Sequence, residues 1–370
     1  MRTSRLLAAA GAGAAALVLV LPTQASATPK TPTPVLKSDQ LAAPFNLALN
    51  HGNVYVADGG LNLLGKLNKD GSIKVLAADQ PGASGVATSD DGRYLAYTTT
   101  VTNEATFENT ASALHIWGPK GFRVDADTLA YDNANNPDKK NTYGIVNPSQ
   151  CVIDAFAAHP EFGPVNYPGG IDSHAYSVTA WGDKFVIADA GANDLLLVDR
   201  QGHISTLAVL PPQRTVITAE IAAGMGLPAC VVGATYGFEP VPTDVEVGRD
   251  GFLYVTTLPG GPEDPSLGAR GKLHRVDPWT GRSHVVASGF LGATNLAIGK
   301  HGEIYVAEFF DGRISVVRHG AVRPYVTLPG VVAVETSKGG QLWAATLGNE
   351  EPPAPGTIVK IVNKKAVPVT

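Results

Sequence analysis

Short runs of apolar and β-branched residues alternate with polar turn residues along most of this chain. The clearest example lies at residues 181–198, where an apolar run at 185–188 is followed by a turn at 191–194 and a second apolar run at 195–198. Apolar runs of this length bounded by Gly, Asn and Asp predict a β-hairpin. The pattern therefore predicts a series of short antiparallel strands.

The same pattern recurs six times, and the copies share a turn glycine followed by an apolar strand. They lie at 52–58, 92–98, 185–189, 251–257, 302–308 and 340–346. Each copy extends to four predicted strands in roughly 40 residues, which is the length of one propeller blade. The pattern predicts an all-β fold, a six-bladed β-propeller of four-stranded antiparallel blades spanning residues 43–370. The outer strand that closes the last blade comes from 35–36 or from 366–369, and both alternatives stay open.

Four insertions interrupt the repeats, at 99–110, 125–170, 211–240 and 259–271. Two of them carry helical patterns, at 126–134 and 218–225. Each insertion follows either the second strand or the fourth strand of a predicted blade, and these connections open on the same face. We expect a cap of loops and short helices on one face, and functional loops concentrate on such a face of a rigid scaffold.

The N-terminus has the pattern of a signal peptide at residues 1–27. Arg2 and Arg5 precede an apolar stretch at 6–21, and Ala25-Ser26-Ala27 forms a small-residue cleavage site. Residues 28–42 follow as a linker that begins rich in Pro and Thr. No later stretch is apolar for long enough to span a bilayer. The sequence predicts a secreted, extracellular protein that is cleaved after Ala27.

The charge of the chain excludes one class of partner, and its cysteine content predicts a disulfide. The chain has 28 Lys and Arg against 33 Asp and Glu, a net charge of −5 without a basic stripe, so we expect no nucleic acid partner. Cys151 and Cys230 are the two cysteines, and an isolated pair in an exported protein most often forms a disulfide. A free thiol or a metal site is the alternative, although no His or Cys spacing nearby supports it.

One polar position repeats at the end of the second strand of every copy. Its residues are Asp58, Thr98, Asp189, Thr257, Glu308 and Thr346. We interpret this strand-end ring as structural, because Asp and Thr at a strand end commonly accept hydrogen bonds from the backbone of the following turn.

The first strands of the copies are expected to line the central channel. The first residues of these strands reach its mouth, and in register across the copies they are Asn46, Gly85, Tyr176, Asp244, Asn295 and Ala333. The predicted ligand-binding residues are Asn46, Tyr176, Thr243, Asp244 and Asn295. Oxygen ligands around an axis suit a hard cation such as Ca²⁺, with Asn46, Asp244 and Asn295 as its ligands. In the alternative interpretation, these side chains end strand turns or hold channel waters.

Two further residues near the channel mouth could act as a base. They are Asp172 and His174, the candidate catalytic residues. Gly-x-Ser-x-Gly, His-Glu-x-x-His and phosphate-loop motifs are absent from the sequence, which argues against a Ser-His-Asp hydrolase. We interpret His115, His284 and His319 as ordinary strand or turn residues.

Two segments resemble a known family, at 186–196 and at 241–251 followed by Leu253-Tyr254-Val255. They are similar to the ScyD/ScyE family of exported propeller proteins with NHL-like repeats, and the resemblance covers the chain from about Pro44 onward. It implies a six-bladed propeller and no established reaction. The loop at 258–265 departs from the aromatic, Pro-rich loop of the family, which puts a shared ligand in doubt.

Three functions remain open. The first is an exported propeller that binds a small ligand or an extracellular protein on its capped face without catalysis, which we favour. The second is a metal-dependent lactonase of the gluconolactonase type, with a cation at the channel mouth and His174 or Asp172 as base. The third is a streptogramin-lyase-like enzyme. Metal analysis of the secreted protein would separate the first two, and the sequence does not identify a cofactor.

Overall fold

The computed structural model describes residues 35–262, 264–350 and 353–369. The predicted signal peptide and the first part of the predicted linker lie outside the described residues. The fold is all-β and is built from four-stranded antiparallel sheets. Among the described residues, no helix is long and apolar enough to cross a membrane.

The first two sheets follow one another along the chain, each formed by four consecutive strands. Sheet 1 consists of β1 (Pro44–Asn50), β2 (Asn53–Asp58), β3 (Leu63–Leu67) and β4 (Ile73–Ala77). Sheet 2 consists of β5 (Val86–Thr88), β6 (Leu95–Thr102), β7 (Asn109–Trp117) and β8 (Arg123–Asp127). The turn between β1 and β2 has positive φ at both central residues, His51 and Gly52. Such a turn matches the twist of the strands it joins.

The chain then leaves the repeat for its longest insertion. This insertion contains α1 (Thr128–Asn135), β9 (Thr142–Ile145), α2 (Gln150–Ala157) and β10 (Asn166–Pro168). Asp127 begins α1, because its carboxylate accepts a hydrogen bond from the Ala130 amide at 2.8 Å. Ser149 begins α2 by accepting one from the Val152 amide at 3.4 Å. These side chains satisfy amide groups that the first turn of a helix leaves free.

Sheet 3 and a second insertion come next. Sheet 3 consists of β11 (Ala175–Trp181), β12 (Lys184–Asp189), β13 (Asp194–Val198) and β14 (Ile204–Val209). The insertion contains β15 (Gln213–Val216), α3 (Ala219–Gly224) and β16 (Thr235–Phe238). Strands β9, β10, β15 and β16 of the two insertions form one sheet in the order β10-β9-β16-β15, which we name the cap sheet.

Three more sheets complete the repeat. Sheet 4 consists of β17 (Pro242–Val247), β18 (Leu253–Thr257), β19 (Gly271–Val276) and β20 (Ser283–Phe290). Sheet 5 consists of β21 (Ala293–Ile298), β22 (Ile304–Glu308), β23 (Arg313–Arg318) and β24 (Ala321–Thr327). Sheet 6 consists of β25 (Val331–Thr336), β26 (Leu342–Thr346), β29 (Thr357–Val362) and β30 (Lys365–Pro368). A short hairpin of β27 (Asn349–Glu350) and β28 (Pro353–Ala354) projects from sheet 6.

Sheets 1 to 6 close into a ring through their first strands. The strands β1, β5, β11, β17, β21 and β25 contact one another in chain order, and β25 contacts β1. Each neighbouring pair of sheets also shares a buried apolar cluster, such as the one that joins Ile187 of sheet 3 to Leu114 of sheet 2. The ring is therefore held by burial between sheets as well as by the hydrogen bonds within them.

The C-terminal segment supplies the outer strand of sheet 6, which decides between the two closing alternatives. Ala366 of β30 pairs with Ile361 of β29. The N-terminal segment instead crosses between sheets 6 and 1: the Ser38 carbonyl accepts a hydrogen bond from the Ile358 amide at 3.0 Å, and the Leu36 carbonyl accepts one from the Ile73 amide at 2.7 Å. Leu41 is buried there. The end of the predicted linker is thus part of the folded ring.

The insertions contain more regular structure than the sequence predicts. Half of residues 99–110 extend the β6–β7 hairpin rather than forming a polar loop, because Thr-rich strands fit a pleated sheet. Asp125 to Asp127 belong to β8, and α1 begins at Thr128 rather than 126. The predicted helix at 218–225 is confirmed as α3, whereas α2 and the cap sheet were not predicted. The cap sheet pairs strands that lie far apart in the chain, and a local pattern cannot reveal such pairing.

Candidate functional site

The predicted channel-mouth residues on sheets 4 and 5 use their side chains to join neighbouring sheets. The Asp244 carboxylate accepts hydrogen bonds from the Ser177 hydroxyl of sheet 3 and, at 2.8 Å, from the Leu296 amide of sheet 5. The Asn295 side-chain oxygen accepts one from the Val334 amide of sheet 6 at 2.7 Å. Both residues therefore act as struts between sheets.

Asn46 lies on the other side of the ring from Asp244. It is buried on β1, which contacts β5 and β25, whereas Asp244 lies on β17 between β11 and β21. Sheets 1 and 4 are three places apart in a ring of six. The structure thus brings Asp244 next to the strand of Asn295 but does not place Asn46 beside them.

Two members of the predicted channel-mouth set are displaced by one residue. The pairing of β11 with β12 places Ser177, rather than Tyr176, at the position of Asn46. In sheet 2 the equivalent residue is Val86 rather than Gly85. The cause in sheet 3 is its two-residue turn, in which Gly182 is the first turn residue, whereas Gly52 is the second one in sheet 1. An alignment of the copies on this glycine therefore shifts the first strand of sheet 3 by one residue.

The other candidates at the channel mouth are divided between buried and exposed positions. His174 is half-buried, its ring lies edge-on to Tyr176 at 5.5 Å, and burial lowers its pKa. Asp172 is exposed and accepts a hydrogen bond from the Asn109 side chain at 2.7 Å. The Thr243 hydroxyl donates to the Ala293 carbonyl at 2.8 Å, as another strut between sheets.

Three acidic side chains are close to one another along the inner strands. Burial raises the pKa of Asp244 to about 7 and that of Glu335 to about 8. The pKa of Glu246 is raised by burial and by the charges of Glu335 and Asp244. Across the described residues, no group of three or more His, Cys, Asp or Glu side chains is arranged to hold a metal ion.

The carboxylates of the strand-end ring accept hydrogen bonds from neighbouring backbone. Asp58 accepts from the amides of Ala42, Ala43 and Leu61 at 2.9–3.0 Å. Asp189 accepts from the His174 and Ala192 amides and from the Ser173 hydroxyl. These contacts tie the end of the second strand to the segment that enters the same sheet.

The other members of the strand-end ring are engaged in the same region of their sheets. Glu308 accepts from the Leu291 amide and pairs with Arg313 at 2.9 Å. The Thr98 hydroxyl accepts from the Gly85 amide, and that of Thr257 accepts from Gln213 at 2.6 Å. Thr346 is buried.

The four insertions contact one another or the segments that flank them, and we name them together the cap (residues 99–110, 128–170, 211–240, 259–262 and 264–270). Asn109 bonds to Asp172, β9 pairs with β16, and Arg270 stacks on Phe238 with its guanidinium 4.4 Å from the ring centre. These contacts link the cap sheet to the sheet 4 loop, and the β6–β7 hairpin to the segment that follows the first long insertion.

A disulfide joins Cys151 of α2 to Cys230, 79 residues later in the second insertion, which confirms the predicted pair. Around it lies the seventh apolar cluster of the molecule, which belongs to the cap alone. Its buried members include Val152, Phe156, Ile217 and Leu227. The two insertions therefore share a small core and a covalent link.

The cap contains a partly open cavity of about 380 Å³ between α2, α3, the cap sheet and the sheet 4 loop. Its lining residues are mostly apolar or aromatic. They are Phe156, Glu161, Phe162, Thr215, Ile217, Ile221, Met225, Leu227, Tyr236, Phe238, Gly261, Pro262 and Leu267. Small-molecule sites commonly have this size and this character.

The aromatic side chains of the cavity are held in place by each other. Tyr236 lies between Phe156, parallel at 6.2 Å, and Phe238, at 4.5 Å. Glu161 is the one acidic residue of the lining, and its carboxylate lies 2.9 Å from the His159 ring. Such a surface can bury an apolar ring and leaves few polar groups to orient it.

The residues predicted to bind a ligand do not line this cavity. The cavity itself was not predicted from the sequence. Two signals were available: the helical pattern at 218–225 and the aromatic alternation Tyr236-Gly237-Phe238. The departing loop at 258–265 does reach the cavity, through Gly261 and Pro262.

A hydrogen-bonded row on sheet 2 was also missed. His115 Nε2 lies 2.9 Å from the Thr99 hydroxyl and Nδ1 lies 2.6 Å from the Asp125 carboxylate. This order is that of a nucleophile, a base and an acid. None of the three residues lines the cap cavity, so the row is separate from it.

Comparisons with known proteins support the fold. No protein-family model and no curated protein matches the chain. A PQQ-bound aldose sugar dehydrogenase from Streptomyces coelicolor is 14% identical with a TM-score of 0.53, over 88% of this chain and 96% of that one. A protein of unknown function from Bacteroides thetaiotaomicron is 9% identical with a TM-score of 0.51, over 88% and 71%.

A third similar structure is the virginiamycin B lyase from Staphylococcus aureus. It is 14% identical with a TM-score of 0.47, over 90% of this chain and 86% of that one. That score is too low to carry an argument, and identities this low show the fold alone. The likeness establishes a β-propeller arrangement of four-stranded sheets and leaves the activity to be argued from the site.

Proposed function

We propose that this protein binds a small, largely apolar molecule with an aromatic ring in the cap cavity. The observation that carries the proposal is the cavity itself, which has a volume of about 380 Å³. Nine of its lining residues are apolar or aromatic, and the other four are glycine, proline or polar residues. Aromatic pairs prefer offset or edge-to-face contacts, which Phe156, Tyr236 and Phe238 are placed to offer. A small ligand fits this concave space better than a flat protein surface does.

The scaffold of this site is, in our proposal, a six-bladed propeller with a cap. Sheets 1 to 6 form the ring of first-strand contacts, and the seventh sheet consists of inserted strands from outside the repeat. This count supports membership of the ScyD/ScyE family, which the resemblance at 186–196 and 241–251 suggests. The family has no established reaction, in keeping with a binding role.

The two enzymatic alternatives draw less support from the described residues. A lactonase cation on Asn46, Asp244 and Asn295 would compete with the backbone amides that bond to Asp244 and Asn295. The streptogramin-lyase alternative rests on a likeness that shows the fold alone. Whether His174 or Asp172 acts as a base stays a prediction.

We also propose that the protein acts outside the cell. The predicted signal peptide at 1–27 and the Cys151–Cys230 disulfide both fit export, because disulfides persist in oxidising compartments. N-terminal sequencing of protein from culture supernatant should begin at Thr28. A start at Met1 would contradict export by this route.

Binding can be measured with N-phenyl-1-naphthylamine, a neutral aromatic probe whose fluorescence rises in apolar surroundings. We expect one probe per molecule and at least about tenfold weaker binding by Leu267→Glu, because a carboxylate in an apolar cavity lacks a partner. Leu267 belongs to the sheet 4 loop rather than to the cap core, so the substitution leaves the fold in place.

The matched control is Ser266→Glu, which adds the same charge at the exposed neighbouring position. It should bind the probe as the unaltered protein does. A second pair compares Ile221→Ser, in the lining, with Val216→Ser, which is exposed on β15. Equal binding by all four variants would overturn the cap cavity as the site.

A further inference from the structure

An arginine lies next to the lining of the cap cavity. Arg270 ends the sheet 4 loop, one residue before β19 begins, and it is half-buried. Its guanidinium stacks on Phe238 at 4.4 Å from the ring centre. One terminal nitrogen of the guanidinium lies 3.6 Å from the place that a Cβ atom would take at Gly261. Phe238 and Gly261 both line the cavity, so the charge borders the lining although Arg270 is not itself part of it.

The guanidinium of Arg270 donates hydrogen bonds to backbone carbonyls. Its Nη1 donates to the Gly260 carbonyl at 3.1 Å, and its Nη2 donates to the Pro259 carbonyl at 3.4 Å. A guanidinium has five N–H donors, and these two bonds use two of them. No ion pair joins Arg270 to a carboxylate of the described residues. The positive charge is therefore held by neutral groups alone within the described part of the chain.

Burial makes such a charge costly. It lowers the pKa of Arg270, and it also lowers the pKa of Lys272, which lies two residues later at the start of β19. Lys272 is half-buried as well, and it forms no ion pair with a described residue. Charges that leave water are normally paired with an opposite charge. Two unpaired positive charges within three residues therefore favour a negative group nearby.

The acidic residue of the lining belongs to a different part of the cap. Glu161 follows α2 and is exposed, and its carboxylate lies 2.9 Å from the His159 ring. The hydrogen bond from His159 lowers the pKa of Glu161, which keeps this carboxylate ionised at neutral pH. A negative group on a ligand would be repelled by Glu161 and attracted by Arg270. The two charges together would set the direction in which a ligand lies in the cavity.

We propose that the ligand of the cap cavity is an aromatic carboxylic acid, whose ring lies among the apolar lining while its carboxylate binds the Arg270 guanidinium. This inference rests on the proposed function, because it concerns the same cavity. The planar fork of N–H groups on a guanidinium matches the two oxygens of a carboxylate. Stacking on Phe238 restrains the guanidinium before a ligand arrives, which reduces the entropy that binding costs.

The test measures how well two compounds of nearly the same shape displace N-phenyl-1-naphthylamine from the mature, oxidised protein. The compound 1-naphthoate carries a carboxylate, and 1-naphthalenemethanol carries a neutral hydroxymethyl group in its place. We expect the unaltered protein to bind 1-naphthoate at least about tenfold more tightly, because hydrogen bonds to charged groups are the stronger ones. Added salt should reduce this preference, since it screens the attraction between the two charges.

Substitutions of Arg270 locate the preference. Arg270→Gln should remove it, because the amide has no charge, whereas Arg270→Lys keeps the charge without the planar fork and should retain only part of it. Both compounds are compared on the same variant, so a change in affinity for the probe cancels from the ratio. The matched control is Arg214→Gln, which removes an exposed arginine of β15 that does not line the cavity. It should keep the full preference.

The outcomes separate this inference from the proposed function. Equal displacement by the two compounds, or a preference that survives Arg270→Gln, would overturn the inference and leave the cavity as the binding site. Loss of probe binding in both Arg270 variants would give this arginine a structural role in the sheet 4 loop and would also overturn the inference. An unaltered protein that does not bind the probe, or probe binding that Leu267→Glu leaves unchanged, would overturn the proposed function itself.

Discussion

The channel mouth and the cap cavity use their side chains in opposite ways. At the channel mouth, polar groups such as Asp244, Asn295 and Thr243 are bonded to backbone groups of the next sheet. In the cap, side chains such as Ile221 and Leu267 line a concave, partly open space. A convergence of polar residues in the sequence can therefore indicate contacts that hold the fold together, while the site that we propose lies where the repeat is interrupted.

The largest expected effect tests what holds the cap. Replacing both cysteines, Cys151→Ser with Cys230→Ser, removes a crosslink over 79 residues, which we expect to cost the cap about 4 kcal/mol in free energy of unfolding on the loop-entropy model. Hydrogen exchange should rise across 142–168 and 213–238 and remain slow in the first strands of the ring. Probe binding should be lost with it.

Uniform exchange through ring and cap in this variant would contradict the comparison. It would mean that the two parts unfold together and that the cap has no separate stability.

The second effect tests the ring alone. Asp58→Ala removes the acceptor for three backbone amides, so we expect a loss of about 2–4 kcal/mol in stability as buried donors go unsatisfied. Urea denaturation measures it, and Asp154→Ala on the exposed side of α2 is the control. The folded fraction should still bind the probe with unchanged affinity; weaker binding would show that ring and cap are coupled.

The third effect concerns pH. The pKa of Glu335 is about 8 in the folded protein against an ordinary value of 4.5. Between these values the unfolded chain has lost the proton while the folded protein keeps it, so stability falls as pH rises from about 4.5 to about 8. Glu335→Gln should remove the contribution of Glu335 to that fall, while Asp244 and Glu246 keep theirs, and the variant should be more stable than the unaltered protein at pH 8 by on the order of 1–3 kcal/mol.

Near pH 4 the two proteins should have nearly equal stability, because Glu335 is then protonated in both states. Thermal melts across this range check the prediction, and parallel curves for the two proteins would contradict it.

The smallest effect marks the outer surface of the cap. Val216 is 54% exposed and lies between two lining residues, Thr215 and Ile217. Val216→Ser should change the free energy of unfolding by no more than about 0.5 kcal/mol, as most surface substitutions do. A larger loss would show that a partner or another segment covers this strand.

The ring could be predicted because each of its sheets carries its own turns and its own alternation. The Cys151–Cys230 disulfide could also be predicted, because the chain has two cysteines and the pattern of an exported protein. The helix α3 could be predicted from its local helical pattern. The cap sheet could not be predicted in this way. Its strand β9 lies in the first long insertion and pairs with β16 of the second, and the whole of sheet 3 lies between them in the chain. The slip from Ser177 to Tyr176 has a smaller cause, the place of one glycine in a two-residue turn.

The candidate site was missed for a related reason. Sequence reasoning favours polar residues that recur, and Asn46, Asp244 and Asn295 recur because sheets repeat. The cavity lining recurs nowhere, since it joins α2, α3 and a loop of sheet 4 that only the folded chain brings together. Non-repeated apolar side chains in insertions deserve the same weight in a repeat protein.

Hydrogen exchange with and without N-phenyl-1-naphthylamine tests the central claim most directly. If the cap cavity is the binding site, the probe should protect residues 150–162, 215–238 and 261–267 and leave the first strands around Asn46, Asp244 and Asn295 unchanged. Protection confined to those first strands would place the site at the channel mouth and contradict the account.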